Sequence, residues 1–159
     1  MTQFPVRSAL SGACDAPAVV TGQPINFPAA FCKAANILPF KRGEIRDEHH
    51  DLFGTHIGGK ALVFPTCVGS TYTGLVLLEL IKTGRGPAAL IVAMADPLLV
   101  SGCVLAQVWY QRVIPVVELC DPGTLDRIAT GNRVRIERGG TEMEIVPARV
   151  PGPFAGQPG

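Results

Sequence analysis

Residues 65–74, PTCVGSTYTG, place small polar side chains and two glycines between two apolar segments, residues 61–64 and 75–81. The three residues Gly69, Ser70 and Thr71 are typical of a tight turn that opens a helix. The first amide groups of a helix have no internal partners and carry partial positive charge. Such a turn suits a carboxylate, a phosphate or a developing oxyanion. The alternative is structural: Ser70 acts only as the N-cap of the helix.

The Ser70 hydroxyl cannot become a base on the strength of this turn alone. Its pKa in water is about that of water itself, roughly 15.7, and a helix N-terminus stabilises an anion by at most about 2 kcal/mol. At about 1.36 kcal/mol per pKa unit, that lowers the pKa by roughly 1.5 units. Two oxyanion donors at about 3 kcal/mol each add some four units. The remaining positive charge must come from a metal or from arginine and lysine side chains. The sequence offers no strong metal constellation and no cationic cluster near this turn, so a complete active site requires a second polypeptide.

Regular patterns from residue 59 onward predict the elements that position this turn. Strands are expected over 60–64, 88–93 and 114–119, helices over 71–82, 101–110 and 122–129, and a hairpin over 132–137 and 142–146. Strand–helix alternation of this kind gives a parallel sheet with right-handed crossovers. Ser70 then follows the first core strand, at the carboxyl edge where open α/β sheets bind ligands. We predict one α/β domain over 14–147, with antiparallel strands added to the parallel core, a flexible N-terminus over 1–13 and a flexible Pro/Gly-rich tail over 148–159.

Composition limits the class of protein. With 159 residues, 17% charged and a net charge of +1, the chain lacks the basic surface that nucleic-acid binding requires. The apolar window 88–110 contains Asp96-Pro97 and Gly102, which argues against a membrane span. Five separated cysteines without a CxxC pair indicate free thiols in a reducing compartment rather than a zinc site. We expect a cytoplasmic protein whose apolar surface is covered by a partner.

An ordered set of short motifs over residues 45–134 resembles the small subunit of aconitase X, the swivelling domain of an aconitase-superfamily dehydratase. The motifs are Asp47, His50 and Gly54 in a D-x-x-H-x-x-x-G segment, Gly59-Lys60, Gly69-Ser70, Gly86-Pro87-Ala88-Ala89 leading to Asp96 and Gly102, and Tyr110 before Ile114-Pro115-Val116-Val117.

This resemblance implies a swivelling β/β/α fold and a catalytic base at Ser70, with Gly69, Ser70 and Thr71 binding the substrate. It also implies a larger partner subunit that carries an iron–sulfur cluster and most substrate contacts. The sequence itself offers no strong metal-ligand constellation, and we expect no metal site in this chain. Family members dehydrate cis-3-hydroxy-L-proline or mevalonate 5-phosphate. Where the family often has a basic residue before Gly-Ser, this chain has Cys67-Val68, which favours a carboxylate over a phosphate. We therefore expect conversion of cis-3-hydroxy-L-proline to a pyrroline-2-carboxylate. The alternatives are mevalonate 5-phosphate dehydration and a non-catalytic partner-binding module.

Four further side chains are candidates for a supporting role around the turn. Cys67 is either a packed thiol beside the site or a cluster ligand. His50 matches the family pattern and is expected to hydrogen-bond Asp47 and to shape the approach to the cleft. Asp96 either caps the helix that follows it or contacts the substrate and orders the Ser70 turn.

Overall fold

Seven strands close into a barrel in the computed structural model, which describes residues 1–31 and 43–148. The strands are β1 (Thr2–Leu10), β2 (Cys14–Val20), β3 (Ala61–Phe64), β4 (Ala89–Val92), β5 (Val116–Leu119), β6 (Arg133–Ile136) and β7 (Glu142–Val146). The helices are α1 (Phe27–Phe31), α2 (Thr73–Lys82) and α3 (Pro97–Tyr110), with a 3-10 helix at Pro122–Arg127. Around the barrel the order is β1-β5-β4-β3-β2-β6-β7.

The barrel has a parallel half and an antiparallel half. Strands β2, β3, β4 and β5 run parallel, with Leu62 opposite Leu90 and Ile91 opposite Val117. Strands β6 and β7 form a hairpin that pairs antiparallel with β2 on one side and β1 on the other. Strand β1 then pairs antiparallel with β5 and closes the ring.

The central strands are buried on both faces, because helices cover the outside of the parallel half. In β3, Ala61 and Val63 point into the barrel with Met143 and Val134, whereas Leu62 and Phe64 belong to the layer between sheet and helices. This double burial explains the continuous apolar runs ALVF and ALIV, which are typical of parallel strands covered on both sides.

Helices α2 and α3 touch backbone to backbone. A Cβ at Gly102 would lie 2.5 Å from the Gly74 carbonyl oxygen, and a Cβ at Gly74 would lie 2.6 Å from the Leu98 carbonyl oxygen. Neither glycine can therefore be replaced without separating the helices. No helix in the described ranges is long and apolar enough to cross a membrane.

The predicted α/β class, with parallel core strands plus antiparallel strands, is confirmed. Strands β3, β4 and β5, helices α2 and α3 and the β6–β7 hairpin all lie where the sequence placed them, with ends shifted by up to four residues. The closed barrel was not anticipated.

The prediction of a loose N-terminus over residues 1–13 is wrong, because Thr2–Leu10 forms β1 and pairs with two other strands. Its inward side chains include Phe4 and Val6, which are buried among the barrel residues. Ser8 stands where the alternation would place an apolar residue, and Pro5 is unfavourable in a strand. Together these two residues hid the strand in the sequence. The predicted tail over 148–159 lies, apart from residue 148, outside the described residues.

Candidate active site

The Ser70 turn lies at the carboxyl edge of the parallel half. It follows β3, and it is held against the loop after β2 by two backbone hydrogen bonds: Ile25 N donates to Thr66 O over 3.1 Å, and Val68 N donates to Ile25 O over 3.1 Å. The loop after β4 joins the same edge, since Met94 N donates to Pro65 O over 3.0 Å. Three loops that are distant in sequence therefore meet around one turn.

Ser70 does not cap α2. The helix begins at Thr73, and its N-cap residue, Tyr72, makes no side-chain capping bond. The Ser70 Oγ instead accepts a hydrogen bond from Tyr72 N over 3.1 Å, and the Ser70 carbonyl oxygen accepts one from Thr73 Oγ1 over 2.9 Å. These bonds fix the serine just before the helix, half-buried, with its hydroxyl oxygen already facing an amide donor.

Gly69 permits a close approach that no other residue type would allow. Its φ is +95°, in the region that favours glycine, and a Cβ here would overlap the side-chain nitrogen of Asn26. The side-chain oxygen of Asn26 accepts a hydrogen bond from Ala29 N over 3.1 Å at the start of α1. The Asn26 amide therefore lies against the backbone of the Ser70 turn.

Cys67 and Asp96 lie on this same edge. Burial raises the pKa of the Cys67 thiol to about 12, and the nearby Asp96 carboxylate and Cys103 add to the rise. The Cys67 side chain is half-buried and packs against the core beside the turn. Asp96 caps α3: its Oδ1 accepts hydrogen bonds from Leu98 N over 2.8 Å and from Leu99 N over 3.3 Å.

Asp47 and His50 lie on a separate loop, and the expected hydrogen bond between their side chains is not formed. Asp47 Oδ1 accepts from His49 N over 3.1 Å. His50 Nδ1 lies 3.1 Å from Leu52 N and 3.1 Å from Asp51 Oδ1.

Asp51 connects this loop to the loop after β2. Its carboxylate accepts a hydrogen bond from Thr21 Oγ1 over 2.7 Å, and its amide donates to Gln23 Oε1 over 3.1 Å. The His50 Nε2 is buried and has no hydrogen-bond partner. The loop that carries Asp47 and His50 therefore contacts the segment leading to Asn26, while no direct bond joins either side chain to Ser70 within the described chain.

Sequence reasoning missed Asn26, Thr21 and Gln23. One signal was available: Asn26-Phe27-Pro28 combines an N-cap residue with a proline in the first helical turn. That pattern marks the start of α1 and would have placed Asn26 shortly after a strand. Its position beside Ser70 depends on the pairing of β2 with β3, which no local pattern reports.

The described segments that form this edge carry no positively charged side chain. Residues 13–31, 61–81 and 86–111 contain no lysine or arginine. Within the described ranges, no three histidine, cysteine, aspartate or glutamate side chains lie close enough together to hold a metal ion. The described residues of this edge therefore do not fit an iron–sulfur cluster.

Comparison with known proteins decides the family. The model of the aconitase X swivel domain matches residues 3–145, which is most of the chain. The chain belongs to the aconitase X swivel domain family.

Relatives and a solved structure agree with this assignment. The swivel domain is 36% identical over 100 residues to the phosphomevalonate dehydratase small subunit of Methanopyrus kandleri, covering 63% of this chain and 70% of that protein. It is 34% identical over 103 residues to the cis-3-hydroxy-L-proline dehydratase of Pseudomonas aeruginosa, covering 65% of this chain but only 17% of that protein. The crystal structure of Thermococcus kodakaraensis aconitase X in its holo-form matches with a TM-score of 0.77 at 26% identity, covering 92% of this chain and 100% of that chain.

The predicted resemblance is thereby confirmed, and with it the swivelling-domain fold. In the Pseudomonas protein the 103 matched residues make up a small part of a much longer polypeptide. The roles of Ser70, Gly69, Thr71 and the four supporting side chains stay predictions.

Proposed function

We propose that this chain is the small subunit of a hydro-lyase that dehydrates a small hydroxy-carboxylic acid, with Ser70 as the base. The observation that carries the proposal is the position of Ser70: a half-buried hydroxyl, fixed by Tyr72 N at the carboxyl edge of the parallel strands. The family includes proteins named as dehydratases and as dehydratase small subunits.

In the proposed reaction, Ser70 removes the proton from the carbon next to the substrate carboxylate. The electron pair of that bond forms a double bond to the neighbouring carbon as the C–O bond there breaks. The departing hydroxyl group takes up a proton from solvent and leaves as water, and Ser70 later returns its proton to solvent. Gly69 and Thr71 contribute backbone groups that contact the substrate. We assign an iron–sulfur cluster, and with it Lewis-acid activation of the leaving hydroxyl group, to the larger partner subunit.

A partner is needed for electrostatic reasons. A turn without lysine or arginine cannot hold a serine alkoxide near neutral pH, because local amide donors lower the hydroxyl pKa by only about six units in total. The missing positive charge must therefore come from a second chain. We place the reaction in the cytoplasm, where thiols such as the four free cysteines of the described chain stay reduced.

A collar of exposed apolar side chains around the turn supports the same conclusion. The collar consists of Val68, Tyr72, Leu75, Met94 and Leu98, which are 44%, 64%, 55%, 61% and 39% exposed. Large apolar groups gathered at one edge are typical of a protein–protein interface. A partner seated on the collar would also exclude water from Ser70, which strengthens every charge interaction around that side chain.

The substrate we favour is cis-3-hydroxy-L-proline, which would give a pyrroline-2-carboxylate. A phosphorylated substrate normally needs arginine or lysine at the site, and the segments around the turn have none. Mevalonate 5-phosphate is the second candidate, because several relatives carry the name phosphomevalonate dehydratase small subunit, at up to 38% identity. For that substrate the phosphate would need cations from the partner or from Lys33, Lys41 and Arg42, which lie outside the described residues.

The proposal is tested by copurifying this chain with its large subunit and assaying both substrates. We expect dehydration of cis-3-hydroxy-L-proline, whereas turnover of mevalonate 5-phosphate alone would assign the second substrate. Ser70→Ala should lower kcat by about 10²- to 10⁴-fold while the two chains still copurify. The matched control is Ser8→Ala, an exposed serine on β1, which should keep full activity. Unchanged rates in Ser70→Ala would remove the serine from the mechanism and favour a non-catalytic module.

A further inference from the structure

Asn26 presents an unused hydrogen-bond donor beside the Ser70 turn. Its Oδ1 accepts from Ala29 N over 3.1 Å, and only an oxygen can fill that role. This bond fixes the orientation of the amide, so the atom that faces Gly69 is Nδ2, with its two hydrogens. Contact with Gly69 is so close that a Cβ there would overlap Nδ2.

Neither of those hydrogens has a hydrogen-bond acceptor within the described parts of the chain, where Oδ1 makes the one side-chain bond of Asn26. The side chain is half-buried, and its backbone cannot move away from the turn, because Ile25 is paired with Thr66 and Val68 on either side of Cys67. Among the described residues Nδ2 is not a buried unsatisfied atom, so water reaches it in the isolated protein. A substrate acceptor at the turn would replace that water and meet a donor that is already oriented.

We infer that Asn26 Nδ2 donates a hydrogen bond to the substrate carboxylate and positions it over the Gly69–Ser70 turn. The inference rests on the proposed function and deepens it. When Ser70 removes the proton next to the carboxylate, negative charge moves onto the carboxylate oxygens, and a preorganised donor there stabilises the transition state more than the ground state. A neutral amide donor suits an edge whose described segments contain no lysine or arginine.

This role does not depend on which of the two candidate substrates is correct. Cis-3-hydroxy-L-proline and mevalonate 5-phosphate both carry a carboxylate on the carbon that loses the proton, and both lose a hydroxyl group from the next carbon. The shared chemical unit is a β-hydroxy carboxylate, and Asn26 would contact the part that is common to both. The two molecules differ elsewhere, in the ring nitrogen and the phosphate.

The test uses Asn26→Asp in the two-chain enzyme. Aspartate keeps an oxygen that accepts from Ala29 N and is itself a good helix N-cap, but it replaces the donor by an anionic oxygen. We expect kcat/KM to fall by about 100-fold or more. We also expect weaker competitive inhibition, by about tenfold or more, by the substrate analogue that lacks the leaving hydroxyl group. The analogue is L-proline, or 3-deoxymevalonate 5-phosphate if the second substrate is the one accepted.

Two further variants separate binding from folding. Asn26→Ser also retains an N-cap oxygen and removes the donor without adding charge, so its losses in kcat/KM and in analogue binding should be smaller than those of Asn26→Asp. Asn132→Asp is the matched control, because Asn132 makes the same kind of bond to Ala129 N over 2.9 Å, in the antiparallel half. It should keep wild-type kcat/KM and wild-type analogue affinity.

The outcomes separate this inference from the proposed function. If the wild-type pair dehydrates a substrate while both Asn26 variants keep its kcat/KM and analogue affinity, the Asn26 inference is overturned and the proposed function stands. If the copurified wild-type pair dehydrates neither substrate, both are overturned. Loss of activity in Asn26→Asp with unchanged analogue affinity would also contradict a contact with the carboxylate.

Discussion

The surface of the antiparallel half differs from the surface that helix α3 gives the parallel half. On the antiparallel half, exposed charges pair with one another: Arg133 Nε lies 2.6 Å from Asp15 Oδ1, and Arg135 lies 3.5 Å from Asp15 Oδ2 and 3.7 Å from Glu144 Oε2. On the parallel half, the 14 residues of α3 include no charged side chain at all. The exposed residues of that helix include Val104, Val108 and Trp109, which are 39%, 67% and 60% exposed.

The antiparallel half has a surface suited to solvent, whereas the edge of the parallel half has a surface suited to a partner. Exposed ion pairs add little stability each, but they give the antiparallel strands a surface that is compatible with water. The parallel half leaves apolar side chains and an unpaired Asn26 donor at the edge that also carries Ser70. The half with exposed apolar side chains and an unpaired donor is thus the half where we propose that the reaction occurs.

The largest effect on stability is expected from Gly102→Ala, which adds a methyl group where α2 and α3 touch. The new Cβ would lie 2.5 Å from Gly74 O and 2.9 Å from Gly74 Cα, so α2 and α3 must move apart. Overpacking of this kind costs about 3 kcal/mol, which lowers the Tm by about 6–12 °C in a domain of this size. Thermal denaturation followed by circular dichroism measures it. The control is Gly22→Ala, because Gly22 has open space around its Cα; equal Tm values for the two variants would show that the helices do not depend on this contact.

An intermediate effect is expected from Leu75→Glu, which changes the collar without disturbing the core. Leu75 is 55% exposed in the first turn of α2, where a glutamate is compatible with the helix. The Tm of the isolated chain should therefore stay close to that of the wild type. The Kd for the large subunit should rise by about 10- to 100-fold, measured by calorimetry. Thr141→Glu places the same charge on the exposed hairpin turn of the antiparallel half, and an equal rise there would refute the assignment of the collar.

The smallest effect is expected from Asp15→Asn in the antiparallel half. The hydrogen bond from Arg133 holds the pKa of the Asp15 carboxyl below its usual range, and Arg135 contributes further. Because the folded-state pKa is the lower one, the stabilisation is present above about pH 4, the ordinary aspartate value, and is lost as the pH falls through the folded-state pKa. The Tm of the wild type should therefore fall more steeply below pH 4 than the Tm of Asp15→Asn. Asp126→Asn, at an exposed aspartate without an ion pair in the described chain, should behave like the wild type.

The parallel half was largely predictable from sequence, and the antiparallel half was predictable only in part. Strands β3 and β4 are continuous apolar runs because both of their faces are covered, and α2 and α3 follow from their length and apolar content. The β6–β7 hairpin was visible through its Arg138-Gly139-Gly140-Thr141 turn. Strand β1 was missed because its partners lie more than 100 residues away, and strands β1 and β2 together determine that the sheet closes into a ring.

In the site too, residues of a local turn could be predicted from sequence, whereas a residue brought in by distant strand pairing could not. Gly69 and Ser70 were recognised because their turn is local and their spacing is informative. Asn26 was not recognised, because it reaches Ser70 only through the pairing of β2 with β3 and of Ile25 with the segment around Cys67. The predicted capping role of Asp96 is found, whereas the expected bond between His50 and Asp47 is replaced by a contact with Asp51.

The closure of the ring by β1 has a consequence for the order in which the protein is made. Residues 2–5 pair with residues 142–145, and β1 also needs β5. During synthesis, the first strand must therefore wait on the ribosome until nearly the whole domain has emerged. Throughout that interval the backbone amides and carbonyls of β1 have no strand partner, so we expect mispairing with other chains to be most frequent during synthesis.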